Sequence, residues 1–248
     1  MRGSVAVSSA CVLLVAACAV YGVETVQYGS AGTAMPFLET GLSPRAVGMA
    51  EAFCAVKGGA DSMSYNPAGA AGIRTVDLGV SYSKWLNSAG LTSAGLLLPL
   101  SGSFAFGADF MYAGYETINA VDLNGDPLGS FKPSDLLVGF TSAISFGQEG
   151  GFAIGVRGKF ASEKLYDVKY SSTAFDAGFL SELAANMLYA GAAVQNLGGK
   201  VSGFPLPFNF RVGSALKIWL SEEPGEGRRG SDEEPEDSVL ASAEYFSP

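Results

Sequence analysis

The sequence contains no histidine and few charged residues, and both absences exclude classes of function. Without histidine, Ser-His and Cys-His catalysis and histidine metal sites are ruled out. Only 16% of the 248 residues are charged, below the roughly 25% usual for soluble domains. The net charge is −9, which argues against the basic face that nucleic-acid binding requires. The sequence predicts no enzyme, no cofactor and no nucleic-acid partner.

Cysteine is also scarce, and two of the three cysteines lie in the apolar N-terminal stretch. Arg2, the apolar run over residues 5–20 and the small residues Ala17-Cys18-Ala19 form the pattern of a cleaved signal peptide, residues 1–22. Val15-Ala16-Ala17-Cys18 also has the form of a lipobox, which would leave Cys18 as a lipidated N-terminus. Cleavage at Ala19 leaves Cys54 alone, so the exported chain is predicted to lack an internal disulfide.

Long apolar runs are missing from the rest of the chain, where no segment approaches the 18 or more apolar residues of a membrane-spanning helix. From Val76 onward the chain divides into segments bounded by Gly, Asn, Asp, Ser or Pro, a spacing typical of an all-β protein. Residues 221–237 form a predicted acidic loop. Nine strands are predicted over residues 76–86, 91–100, 102–115, 134–147, 151–163, 172–180, 186–196, 207–220 and 238–246.

These segments alternate large apolar residues with small or polar ones. Between residues 102 and 115, for example, Phe104, Phe106 and Phe110 alternate with Ala105, Gly107 and Asp109. Two architectures fit this period: a soluble sandwich with its apolar face inward, or a membrane barrel with that face toward lipid. The second face is rich in Gly, Ala and Ser rather than in solvating charge, which favours an antiparallel transmembrane β-barrel. Asp109 and Asp176 are then expected at solvated lumen or rim positions.

The stretch from Ser43 to Ile73, SPRAVGMAEAFCAVKGGADSMSYNPAGAAGI, resembles the N-terminal signature of FadL-like outer-membrane proteins. The likeness is greatest to the PorV/PorQ branch and its uncharacterised spirochaetal relatives. The matching residues are Arg45, Ala46, Gly48, Met49, Ala52, Phe53, Asn66, Pro67, Ala68 and Gly69. Ala50 departs from the second Gly of the pattern, and Lys57-Gly58-Gly59 replaces its Ala-Asp-Asp. Residues 174–180, 189–199 and 206–216 resemble later strands of the family.

The resemblance implies a barrel of about fourteen strands with an N-terminal hatch in its lumen. The hatch would be residues 23–75, with Asn66, Pro67, Ala68 and Gly69 as its motif, and the barrel residues 76–248. The chain is short by several strands, as expected of a truncated member. Export to the cell outer membrane is also implied.

The implied function is outer-membrane uptake of a hydrophobic small molecule, such as a long-chain fatty acid, with outer-membrane lipid around the barrel. The alternation places four cations on the lumen side, where they are candidates to meet a ligand carboxylate: Arg157, Lys159, Arg211 and Lys217. Structural pairing of these charges is the competing interpretation. Two other functions stay open: a non-conducting anchor for other exported proteins, as in PorV, and an exported lipoprotein held by Cys18.

Overall fold

The computed structural model describes residues 32–84, 89–147, 151–184, 187–219 and 238–247, and side-chain burial as far as residue 217. The described chain is mostly antiparallel β-sheet, which confirms the all-β prediction. The predicted signal peptide, Cys18 and the acidic loop lie outside these residues. The strands are β1 Asp77–Lys84, β2 Gly90–Pro99, β3 Phe104–Gly114, β4 Ile118–Val121, β5 Pro127–Phe131, β6 Ser134–Phe146, β7 Phe152–Leu165, β8 Val168–Ala184, β9 Leu188–Gly198, β10 Lys200–Val201, β11 Phe204–Pro205, β12 Asn209–Trp219 and β13 Ser238–Ser247.

Nine of these strands form one sheet in the order β1-β2-β3-β6-β7-β8-β9-β12-β13, with every neighbouring pair antiparallel. Strands β1 and β13 are its two edges in the described part of the chain. The hairpin between β6 and β7 fixes the central register, pairing Phe146 with Phe152 and Thr141 with Arg157. Because side chains alternate between faces, this register places all residues of one parity on the same side of the sheet.

Most of the large apolar residues of the sheet lie on an exposed outer face. Phe140 is 56% exposed and Val156 is 60% exposed, and Phe146, Phe152 and Phe179 stack along one end of this face. The alternate residues, such as Ala105, are buried on the inner face. The apolar side chains therefore do not form a core between two layers of sheet, as a soluble sandwich would require.

An inner segment, residues 32–73, covers the inner face. It contains α1 (Pro44–Gly48) and 3₁₀ helices at Pro36–Glu39, Ala60–Ser64 and Pro67–Ala70. Among the described helices, none has the length and apolar character to span a bilayer. Three buried apolar clusters involve this segment: two join it to the sheet, and the third lies within it around Phe53 and Tyr65. The core thus lies between the inner segment and the inner face of the sheet.

Glycine on the inner face lets the backbone of the inner segment touch the sheet. A Cβ atom at Gly155 of β7 would lie 2.3 Å from the carbonyl carbon of Pro67. Cβ atoms at Gly178 of β8 and Gly191 of β9 would lie 2.0 Å from the Asn66 amide oxygen and 2.3 Å from the Cys54 carbonyl oxygen. Since real Cβ contacts are longer than this, the close packing requires glycine at these three positions.

Several departures from the predicted strands occur at hairpins, among them the short β10–β11 pair, which was not predicted. Strands β7 and β8 extend beyond the predicted ends, residues 163 and 172, to a turn in which Tyr166 has φ 55°. The alternation of large apolar with small or polar residues stops where Lys164 faces Lys169, although the backbone hydrogen-bonded pairing of β7 and β8 continues. Residues 118–131 lie between two of the predicted strands and contain the hairpin β4–β5, which was not predicted. Its turn is held by Asp122, whose carboxylate accepts hydrogen bonds from two backbone N–H groups.

The glycine contacts lead to a stability prediction. Gly155→Ala is expected to lower the free energy of unfolding by about 1–3 kcal/mol, because the added methyl group overlaps the backbone of the inner segment. Gly158→Ala on the same strand is the matched control, since its Cβ would lie at an ordinary 3.6 Å from the Phe175 ring. Denaturant unfolding of both variants measures the difference. Equal effects would contradict the proposed backbone contact.

Candidate functional site

The Asn66-Pro67-Ala68-Gly69 motif forms a buried turn against the sheet. Pro67 begins a 3₁₀ helix, where its fixed φ is favourable and its missing N–H is not needed. Asn66 precedes this helix with φ −148° and ψ 106°, and its side-chain oxygen accepts a hydrogen bond from the Ala68 N–H at 3.0 Å. The motif thus caps its own helix.

Asn66 also joins this turn to a second turn and to the sheet. Its Nδ2 group donates to the Cys54 carbonyl at 2.6 Å and to the Phe179 carbonyl of β8 at 3.0 Å. The side chain is fully buried, so each of these bonds replaces a bond to water that is lost on burial. Replacement of Asn66 would leave two backbone carbonyls without this donor.

A second polar contact ties the inner segment to β9 and β12. Gln195 of β9 donates from Nε2 to the carbonyls of Ser64, at 2.7 Å, and Tyr65, at 3.2 Å. Its Oε1 atom accepts from Arg211 Nε of β12 at 2.9 Å. The Arg211 guanidinium lies 5.3 Å from the centre of the Tyr65 ring and 3.5 Å from a Glu51 carboxylate oxygen. One cation therefore contacts both the wall and the inner segment.

A buried ion cluster lies on the inner face of β3, β7 and β8. Arg157 binds the carboxylates of Asp109 and Asp176. Its Nε atom lies 3.0 Å from Asp109 Oδ1, and its Nη1 atom lies 3.3 Å from Asp176 Oδ2. Lys159 Nζ lies 2.8 Å from Asp176 Oδ1 and also donates to Asn196. Gly139 makes room for the cluster, because a Cβ there would lie 2.5 Å from Asp109. Two cations thus balance two carboxylates.

The predicted environment of Asp109 and Asp176 was wrong. Asp109 and Asp176 were predicted at solvated positions, but they are 7% and 1% exposed. The reason is their register: Asp176 faces Arg157 directly across β7 and β8, and Asp109 faces Gly139. Arg157 and Lys159 therefore form structural ion pairs in this conformation. This arrangement corresponds to the structural pairing that was the alternative to ligand binding for these two cations.

A narrow cleft opens between the inner segment and the cationic side of the wall. Arg157, Lys159 and Arg211 contribute to its lining together with Glu39 and apolar residues that include Phe37. Its free volume of about 20 Å³ suits one water molecule and not an organic ligand. Burial raises the pKa of Glu39, and the nearby Arg211 partly offsets this rise.

The four candidate lumen cations are thus not equivalent. Three of them line the cleft: Arg157, Lys159 and Arg211. Lys217, also on β12, is not among the described residues that line it. The interactions of Glu51, Gln195 and Asn196 were not predicted. Among the described residues, no group of three or more Cys, Asp or Glu is arranged to hold a metal ion.

Comparison with known proteins gives no assignment. No protein-family model matches the chain, and no curated protein matches its sequence. The functional interpretation therefore depends on the geometry of the fold and the site.

The ion cluster leads to a second stability prediction. Arg157→Met is expected to lower the free energy of unfolding by about 3–5 kcal/mol, because it leaves two buried carboxylates without their shared cation. Lys164→Met is the matched control, since Lys164 is exposed near the end of the same strand. Denaturant unfolding at neutral pH measures both variants. A similarly small effect in both would show that the cluster is not a stabilising unit.

Proposed function

We propose that the chain is an outer-membrane protein whose sheet forms the wall of a transmembrane β-barrel, with the inner segment as its hatch. In this proposal the outer face contacts lipid. Hydrophobic small molecules, such as long-chain fatty acids, enter the interior and pass when the hatch shifts. No bond is made or broken.

The distribution of charge between the two faces carries the proposal. The outer-facing charges of β1 to β3, β6 to β9 and the described part of β12 are Lys84, Lys164 and Lys169, all at strand ends. The other charged residues of these strands lie on the inner-face parity, including Asp109, Arg157 and Arg211. The uncharged outer run from Phe152 to Ser162 matches the roughly 9–11 residues with which a tilted strand crosses a bilayer. A water-exposed face has no need for this segregation.

A charged substitution on the outer face tests the lipid contact. Val156→Arg is expected to lower the free energy of unfolding in lipid by about 2–4 kcal/mol, the cost of Arg near the bilayer midplane. Val121→Arg is the matched control, because Val121 is 58% exposed on the β4–β5 hairpin, outside the nine-stranded sheet. Urea unfolding from lipid vesicles gives both values. A neutral effect of Val156→Arg would show that this face contacts water.

Transport requires the inner segment to move, and the structure indicates where it is held. The direct polar contacts described above join it to β8, β9 and β12 through Asn66, Gln195 and Arg211. Toward β1 and β2 the Leu42 carbonyl accepts from the hydroxyls of Ser81 and Ser93, whereas toward β3 the segment packs mainly through apolar side chains, such as Met35 in one cluster with Met111. Apolar contacts have no strict directionality, so a shift on that side breaks fewer specific bonds.

Uptake by reconstituted vesicles tests the transport function. Vesicles that contain the protein and internal albumin are expected to take up radiolabelled oleate faster than protein-free vesicles. Asn66→Ala should increase the rate, because it removes one bond between the hatch and β8, whereas Asn119→Ala on the exposed β4 strand should not. If neither the unmodified protein nor Asn66→Ala exceeds protein-free vesicles, the transport function is rejected.

One observation favours a second candidate function, a non-conducting anchor for other exported proteins. The inner segment fills the described interior with buried clusters, and the cleft between segment and wall holds only about 20 Å³. An anchor requires membrane insertion and no open path. Insertion into vesicles without oleate uptake, even in Asn66→Ala, would favour this function. The lipoprotein alternative depends on Cys18, which lies outside the described residues.

A further inference from the structure

The charge on the outer face of the sheet lies at one end of the strands. The three outer-facing lysines named above occupy one row of cross-strand neighbours. From β1 to β8 this row is Lys84, Gly90, Gly114, Ser134, Lys164 and Lys169. At the opposite end of the same face Phe146, Phe152 and Phe179 stack, and the described outer-facing side chains there are uncharged. The outer face is therefore cationic at one end and aromatic at the other.

Within this row, Lys164 and Lys169 form a pair of like charges. They face each other directly across β7 and β8, and both side chains are exposed. Residues opposite each other on antiparallel strands have Cβ atoms about 4.5–5.5 Å apart, and like charges in this arrangement destabilise the pairing. An anion bound between the two ammonium groups would replace this repulsion by attraction.

The described part of the chain does not neutralise the lysine pair. Neither Lys164 nor Lys169 forms a salt bridge with a carboxylate of the described residues. The acids next to this row on β6 and β7, Asp135 and Glu163, face each other with the opposite parity, so their side chains lie on the inner face. An anion that contacts both lysines therefore has to come from outside the described residues.

Next to the lysine pair, the outer face changes first to hydroxyl groups and then to hydrocarbon. Ser162 and Ser171 face each other in the adjacent outer-facing row, and the Ser171 hydroxyl donates to the Ser162 hydroxyl with the two oxygens 3.5 Å apart. Farther along the same strands, Phe160 is 44% exposed and Phe175 is 62% exposed. Cations, hydroxyl groups and exposed rings thus follow one another from the strand ends toward the middle of the sheet.

We propose that Lys164 and Lys169 bind the phosphate of an anionic phospholipid whose acyl chains cover Phe160 and Phe175. The lysine ammonium is a compact point charge that suits phosphate, and the oxygens of one phosphate can contact both lysines at once. The inference rests on the proposed contact of the outer face with lipid. It adds the chemical class of that lipid, the position of its head group and the end of the sheet that meets it.

The lipid selectivity of the full chain in phosphatidylcholine vesicles tests the proposal. Spin-labelled phosphatidylglycerol and spin-labelled phosphatidylcholine are added separately, and electron paramagnetic resonance measures the fraction of each that is immobilised at the protein surface. The unmodified protein is expected to prefer phosphatidylglycerol. The variant Lys164→Gln/Lys169→Gln should lower this preference by about two- to fivefold, because it removes the cations near the head group. An unchanged preference overturns the proposal.

Lys84→Gln and Lys169→Gln form a matched comparison. Each removes one exposed outer-facing lysine of the same row, but Lys84 faces Gly90 and not a second lysine. Lys169→Gln is expected to lower the preference for phosphatidylglycerol by about twofold, whereas Lys84→Gln should leave it unchanged. Equal losses in the two variants would show a general effect of surface charge and would overturn the assignment to the lysine pair.

Two further measurements separate this proposal from its alternatives. Excess inorganic phosphate at constant ionic strength should leave the preference unchanged, because the acyl chains hold the lipid against the sheet. Loss of the preference would assign the lysines to free phosphate and overturn the lipid site. If Val156→Arg is destabilising in lipid while the lysine variants keep their preference, only the head-group site fails; a neutral Val156→Arg rejects the lipid contact itself.

Discussion

Contact between the backbone of the inner segment and the glycine-bearing side of β7, β8 and β9 is the constraint on which the rest of the structure depends. Gly155, Gly178 and Gly191 remove the side chains that would otherwise separate the two. The Asn66 side chain can then reach the Phe179 carbonyl directly. Around these glycines the inner face of the sheet carries little bulk, although Leu91, Met111 and Leu137 are buried elsewhere on it. The inner segment fills the space beside the glycines, and most of the large side chains of the sheet face outward.

The general architecture could be predicted from the sequence because it depends on a local signal. The alternation around Phe104, Phe152 and Phe210 identifies strands and separates their faces without any knowledge of their partners. The ends of β7 and β8 were wrong because the alternation stops at Lys164 and Lys169, while backbone pairing, which leaves no mark on side-chain type, continues. The β4–β5 hairpin was missed for the same reason, since it has no buried face to impose a period on its residues.

The candidate site could be predicted only as a set of isolated residues. The parity of Arg157 and Lys159 was sufficient to place them on the inner face, but their partners depend on register. The register of the β7–β8 hairpin places Asp176 opposite Arg157. Asp109, which lies 48 residues before Arg157 in the chain, contacts the same guanidinium across Gly139. The hatch motif shows the same limit. The turn around Pro67 is a local property, whereas the bonds from Asn66 to Cys54 and Phe179 require the folded sheet.

The odd number of strands in the main sheet of the described chain has a geometric consequence. Neighbours alternate in direction, so the first and ninth strands, β1 and β13, point the same way. Joining these two margins directly would create a single parallel seam in an otherwise antiparallel cylinder. A closed sheet in which every neighbouring pair is antiparallel needs an odd number of additional strands between β13 and β1, from this or another polypeptide. The additional strand next to β1 and the one next to β13 must each run antiparallel to that edge strand.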